Sequence, residues 1–232
     1  LTTLTLHAEQ PRTEQGLARS VRATARITHA ATNLLPASVQ SETMLNQGQT
    51  RWATSAWTRV EASFDLPHAD DLVLARTNLA WPERLKNIPF DLTAAFSNAP
   101  GAQLEWSRLS LTNRWRWPEF HVAADAQISA GTLVAEATLD TGTRAATFHA
   151  TARGDPHSLA PFLPTNALPW LAEYQSAAPL EAQVAGRATL PDWTNRQPDW
   201  RIEVLPTVSL AGRVEIGPAS FRNIHFDAAH LL

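Results

Sequence analysis

The chain has 232 residues and a formal net charge of −3, with 19 Lys and Arg against 22 Asp and Glu, so its global charge does not favour nucleic-acid binding. It has no cysteine, which excludes disulfides and thiolate metal sites. Hydrophobic residues make up 44% of the chain, enough to build one large domain or two small ones.

Alternation of apolar and polar residues predicts β-strands over roughly the first two thirds of the chain. The longest run covers residues 50–66, where even positions are apolar or threonine and most odd positions are polar. Turn signals separate the runs, among them Gly48 in a predicted hairpin turn at 46–49. The strands predicted here cover residues 1–9, 17–32, 38–45, 50–66, 72–81, 90–96, 102–111, 114–125, 126–139 and 145–153.

Residues 154–175 break this rhythm. Pro156 and Pro169 suit the first turns of helices, and Asp155 and Asn166 suit N-caps. The pattern predicts short helices near 157–162 and 168–174. Strands then resume at 180–190, 200–205, 208–216 and 221–227.

The predicted fold is mainly β, a long antiparallel meander that forms a curved or U-shaped groove, with a β-sandwich as the alternative. The expected organisation is a sheet over 1–153, a helical insert over 154–178 and continuing strands over 179–232, in one continuous domain. The first residues, LTTLTLHAE, already alternate and do not form a signal peptide. We therefore interpret the chain as an internal fragment of a longer protein.

Chemical motifs are not recognisable in the sequence. The eight histidines form no i, i+2 or i, i+4 pair, and the acidic residues occur singly apart from Asp70 and Asp71. The sequence therefore predicts no catalytic, metal-binding or cofactor-binding residue. The nine tryptophans indicate core packing and strand-end anchoring, or contact with an amphipathic ligand.

The last third of the chain resembles the AsmA-like group of bacterial envelope proteins, which includes AsmA, YhdP and TamB. The resemblance is carried by a helical insert, then a strand with Gly212–Val214, then a strand with a spaced set of apolar residues. That set consists of Phe221, Ile224, Phe226 and Ala228.

The resemblance implies a long U-shaped sheet with a hydrophobic inner face, which conducts phospholipid across the periplasm between the inner and outer membranes. It implies a periplasmic segment of a protein anchored in the inner membrane, with the anchor outside this fragment. The net charge, and not the resemblance, argues against a nucleic-acid partner. The expected lipid-contacting residues belong to the apolar sides of the strands. They are Val21, Ala23, Ile27, Trp52, Ala56, Val60, Phe64, Phe90, Leu92, Phe96, Val184 and Val214.

Two other functions stay open at this point. A β-sandwich could bind carbohydrate or protein through exposed aromatic residues, and a β-rich hydrolase could assemble two carboxylates from distant strands.

Overall fold

A computed structural model describes residues 1–13, 16–30, 35–50, 54–66, 79–100, 105–128, 131–155, 157, 165–166, 168–176, 178–195, 197–222, 224–227 and 229–231. The fold is mainly β, as the alternation predicts. The strands are β1 (Thr2–Glu9), β2 (Arg12–Thr13), β3 (Gly16–Leu17), β4 (Ser20–His29), β5 (Pro36–Thr50), β6 (Thr54–Asp65), β7 (Phe90–Pro100), β8 (Glu105–Arg116), β9 (Glu119–Ile128), β10 (Gly131–Asp140), β11 (Ala145–Gly154), β12 (Tyr174–Ser176), β13 (Leu180–Thr189), β14 (Ser209–Ile216), β15 (Ala219–Phe221), β16 (Ile224–Phe226) and β17 (Ala229–Leu231).

One long antiparallel sheet dominates the fold. Its strands lie in the order β1-β4-β5-β6-β7-β8-β9-β10-β11-β13-β14-β17, so that nearly every strand pairs with the next long strand in the chain. The short strands β2 and β3 branch from β5, and β12, β15 and β16 form a separate three-stranded sheet. The long sheet does not close on itself. The predicted meander is confirmed, and among the described residues no second large sheet forms the alternative β-sandwich.

Three short helices interrupt the strands: α1 (Trp81–Leu85), α2 (Leu168–Ala172) and α3 (Trp200–Glu203). A 3-10 helix follows α3 at Leu205–Thr207. The helix predicted at 168–174 is confirmed by α2, and the one predicted at 157–162 lies outside the described residues except for His157. The strand predicted at 200–205 is wrong, because the Asp199 side chain caps α3 by accepting hydrogen bonds from the backbone N–H groups of Arg201 and Ile202.

Several predicted boundaries also differ from the structure. The hairpin turn at 46–49 is wrong: β5 continues to Thr50, and the chain takes a positive φ of 48° at Gln47 instead of turning. The strands predicted at 102–111 and 114–125 are divided differently, since β8 ends at Arg116 and the turn contains Pro118. The predicted strand at 221–227 is replaced by parts of two short strands, β15 and β16.

Tight side-chain packing is concentrated where α1 meets the sheet. Trp115 on β8 is 0% exposed, and its indole Nε1–H donates a 2.7 Å hydrogen bond to the carbonyl oxygen of Leu85 at the end of α1. Its ring lies 5.7 Å from Trp81 and 6.2 Å from Phe120. Trp193 and Trp117 complete this group at 5.5 Å from Trp81 and 6.1 Å from Trp115. We call these five rings the aromatic cluster.

The aromatic cluster should carry a large share of the stability. We expect Trp115→Ala to lower the free energy of unfolding by about 3–5 kcal/mol, because it leaves a cavity and an unpaired carbonyl. Trp57→Ala is the control, since Trp57 is 40% exposed and should lose well under half as much. Denaturant unfolding measures both, and equal losses would contradict this account of the core.

Candidate functional site

The cross-strand register places the apolar residues of successive strands on the same side of the sheet. Residues directly opposite each other in an antiparallel pair point to the same face. Following these pairs from β4 to β13 gives four rows, which together we call the apolar face. Each row takes one residue from each of β4, β5, β6, β7, β8, β9, β10, β11 and β13, in that order. The first row is Ile27, Val39, Phe64, Phe90, Trp115, Phe120, Leu139, Ala146 and Ala188, and the second is Ala25, Ser41, Ala62, Leu92, Asn113, Val122, Ala137, Phe148 and Gly186. The third row is Ala23, Thr43, Val60, Ala94, Leu111, Ala124, Ala135, Ala150 and Val184, and the fourth is Val21, Leu45, Thr58, Phe96, Leu109, Ala126, Leu133, Ala152 and Ala182.

The rows differ in side-chain size. From β4 to β10 the first and fourth rows carry large apolar residues, apart from Thr58 and Ala126. The two middle rows over the same strands carry alanine, serine or threonine at nine of fourteen positions, and the other five are Val60, Leu92, Leu111, Asn113 and Val122. We call the strip that these two rows form between the first and fourth rows the furrow.

Much of the apolar face is open to solvent. At one side of the sheet Leu4 and Leu6 of β1 extend the face and are 56% and 60% exposed, and at the other side Val184 is 38% exposed. Most other members of the face are half-buried. Monomeric proteins rarely leave a contiguous apolar surface of this extent uncovered.

The dimensions of the face follow from strand geometry. Four rows at alternate residues span about 20 Å along the strands, and the strands from β1 to β14 span about 50 Å across the sheet. Half of a bilayer's hydrocarbon core is about 15 Å thick. The furrow crosses the seven strands from β4 to β10, about 29 Å, and is therefore longer than half of a bilayer's hydrocarbon core is thick.

Ten of the twelve residues predicted from the sequence lie on this side of the sheet. Trp52 lies outside the described residues, and Ala56 is an exposed residue of β6 beyond the four rows. Val214 extends the fourth row on β14, opposite Ala182. The others are Val21, Ala23, Ile27, Val60, Phe64, Phe90, Leu92, Phe96 and Val184.

Sequence reasoning missed the wall along one border of the face. Helix α1 packs against Trp115 of the first row through Trp81 and the carbonyl of Leu85. Trp81 also contacts Trp193, so both rings lie at the first-row border of the face. Pro82 in the first turn of α1 was a signal for this helix, but five residues are too few to show a helical period. Leu109 and Leu111 lie inside the strand predicted at 102–111 but were not among the predicted lipid-contacting residues.

The opposite face of the sheet carries the charged residues. Arg59 forms ion pairs of 2.9 Å with Glu42 and 2.6 Å with Glu61. Asp91 accepts hydrogen bonds from Arg116 at 2.7 Å and Arg114 at 3.2 Å. The pKa of Asp91 is held below its ordinary value. The largest cause is the hydrogen bond from Arg116, and the charge of Arg116 and the hydrogen bond from Arg114 lower this pKa further.

A depression of about 600 Å³ lies mainly on this charged face, although Ser41 and Ala62 of the second row also line it. It contains none of the furrow's large apolar residues and no aromatic ring. Its acidic residues are those already paired with arginine, which leaves no pair of free carboxylates for acid–base chemistry. Its lining residues are Arg22, Thr24, Arg26, Gln40, Ser41, Glu42, Met44, Glu61, Ala62, Ser63, Asp91 and Thr93.

Among the described residues, no three histidine or acidic side chains are placed to hold a metal ion together. No helix in the described part of the chain is both long and apolar enough to cross a bilayer. The chain matches no protein-family model, and comparisons with curated proteins and solved structures also give no match. The resemblance to the AsmA-like group therefore stays a prediction.

The ion pairs of Asp91 should make a small contribution to stability that depends on pH. Because the folded-state pKa is lowered, this contribution is present above about pH 4 and is lost as the pH falls through the folded-state value. Asp91 is 43% exposed, so we expect only about 0.5 kcal/mol or less.

We expect Asp91→Asn to lower Tm slightly at pH 6 and to lie closer to the parent chain near pH 3. Thermal unfolding followed by circular dichroism at both pH values measures this. Asp65→Asn is the control, because Asp65 forms no ion pair within the described part of the chain and should show no comparable convergence. A parent-minus-variant difference that is constant across this pH range would contradict the assignment.

Proposed function

We propose that this chain is a non-enzymatic segment of an envelope-spanning protein that holds phospholipid acyl chains along the furrow and conducts them between the inner and outer membranes. In this proposal the chain works in the periplasm as part of an inner-membrane-anchored protein. The supporting observation is a continuous apolar face that the described residues leave largely uncovered. The resemblance to the AsmA-like group points in the same direction.

The chemistry of the face suits an acyl chain better than a ligand with many polar groups. Each methylene removed from water contributes about 0.8 kcal/mol, so binding requires no directional contact. A lipid that leaves a bilayer for such a face exchanges one apolar environment for another. Movement along the furrow then meets only small changes in free energy, because the middle rows are formed largely by small side chains.

The described residues give less support to the competing functions. The sugar-binding hypothesis depended on a β-sandwich with an exposed aromatic platform, whereas the rings near the furrow pack against one another and α1. The hydrolase hypothesis depended on two cooperating carboxylates. Glu42, Glu61 and Asp91 lie around one depression, but arginine side chains neutralise them.

A charge placed in the furrow should expel lipid. We expect Ala124→Lys to reduce the lipid that co-purifies with the chain by about tenfold or more, because an ammonium group among acyl chains costs more than the 1.4 kcal/mol that corresponds to tenfold. Lipid extraction and mass spectrometry of the purified chain measure the amount bound.

The neighbouring residue provides a matched control. Ala123 belongs to the same strand but faces the opposite side, between Thr112 and Glu136. We expect Ala123→Lys to keep the lipid content of the parent chain. The proposal fails if the parent carries no lipid, or if both variants lose lipid equally while remaining folded.

A further inference from the structure

The apolar face carries no charged residue over its whole width. Its rows continue onto β1 and β14, which lie beside β4 and β13. The added members are Thr2, Leu4, Leu6 and Ala8 on β1, and Leu210, Gly212 and Val214 on β14. From β1 to β14, no position of the four rows is Asp, Glu, Lys, Arg or His. Folding therefore gathers an uncharged surface on one side of the sheet.

This uncharged surface is open at both sides of the sheet. On β1, Leu4 and Leu6 are 56% and 60% exposed, and on β14 Leu210 is 63% exposed. Between them, the described contacts of α1 are made with Trp115 of the first row alone. Soluble proteins usually cover an apolar surface of this extent with a partner.

The face is large enough for a stable interface between two proteins. A footprint of about 20 Å along the strands and about 50 Å across them amounts to about 1,000 Å². Stable complexes bury about 800 Å² of accessible surface on each partner. A partner that covers the face must match it in extent and must also lack charge. A second copy of this chain offers a surface that meets both conditions.

We propose that two copies of the chain pack apolar face against apolar face when no lipid is bound. The pair is then a β-sandwich formed between two molecules. Sheets in a sandwich lie about 10 Å apart with their strands within about 30° of each other, an angle that arises from the shared hand of their twist. Two copies of one sheet necessarily share that hand. The interface is isologous, so each copy contributes the same residues to it.

Helix α1 determines how the two copies are arranged. It lies on the apolar side, at the first-row border of β8, and β8 is the middle strand between β1 and β14. A two-fold axis parallel to the strands would bring both α1 helices to the same place on that border. An axis across the strands places the first row of one copy over the fourth row of the other, so that the helices lie at opposite borders. We therefore expect the second arrangement.

Electrostatic repulsion opposes this packing only weakly. Each copy has a formal net charge of −3, but the ion-paired side chains of the sheet, such as Arg59 and Asp91, point away from the interface. The sheets themselves are about 10 Å apart, and these side chains add to that separation. Charges on the two outer faces are thus further apart than the Debye length of about 8 Å at physiological ionic strength.

A second copy and an acyl chain would cover the same residues, so each excludes the other. The dimer would keep the face out of water while no lipid is present, and lipid binding would release monomers. This exchange with lipid rests on the proposed function, whereas the dimer itself does not.

Analytical ultracentrifugation of the full chain after lipid extraction tests the dimer. We expect the parent to be dimeric and Ala124→Lys, in the third row, to raise the dimer dissociation constant at least about tenfold. The reason is that each copy would bring an ammonium group into an apolar interface. Circular dichroism checks that the variant is folded.

Ala123→Lys is the matched control, because Ala123 is the next residue on β9 and faces the charged side. We expect it to keep the parent's dissociation constant. A parent that is monomeric after lipid extraction would overturn the proposal, as would equal weakening in both folded variants. A dimer that Ala124→Lys leaves intact would also overturn it, because the copies would then meet at a strand edge or another surface.

Adding phosphatidylethanolamine to the lipid-free parent separates this inference from the proposed function. We expect the lipid to convert the dimer to a lipid-bearing monomer. If the chain binds no lipid but dimerises through its apolar face, the proposed function fails and the dimer stands. If the chain carries lipid but stays monomeric after extraction, only the dimer fails. If lipid binds without separating the copies, face-to-face packing is wrong, because the same residues cannot be covered twice.

Discussion

The constraint on which this structure depends is the register between neighbouring strands. The antiparallel pairs from β1 to β14 align mostly apolar residues on one face, with polar members such as Thr58 and Asn113 among them. A slip of one residue at any pair would turn a whole strand's apolar side chains toward the charged face. The register is reinforced on that face by cross-strand ion pairs, such as the pair between Arg116 and Asp91. One face stays apolar and the other stays charged because every pair obeys the same rule.

The aromatic cluster provides buried side-chain packing, which an open sheet otherwise lacks. A sheet with one uncovered face has few fully buried side chains, and the cluster provides several of its tightest contacts around Trp115. The described contacts of α1 with the sheet are made with Trp115 of the first row, where they stabilise β8. Stability and an open furrow therefore coexist in the same part of the sheet.

The alternation in the sequence was enough to predict the fold class and ten of the residues on the apolar side. A period of two identifies which residues share a face within one strand, as for Val60 and Phe64 on β6. It does not identify short helices, and Trp200, Ile202 and Val204 alternate like a strand although Asp199 starts a helix there. The furrow was also beyond sequence reasoning, because it depends on which strands are neighbours and in what register.

Pairing between neighbours alone has a consequence for how such a protein can change in size. In the long sheet nearly every strand contacts only the strands beside it, as in repeat proteins whose stability is a sum of local and nearest-neighbour terms. Inserting or deleting one hairpin of two strands would leave the chain running in its original direction and would keep the apolar and charged residues on their own faces. It would change the width of the sheet across its strands by about 10 Å. Evolution could thus adjust the reach of this architecture in fixed steps, without redesigning a central core.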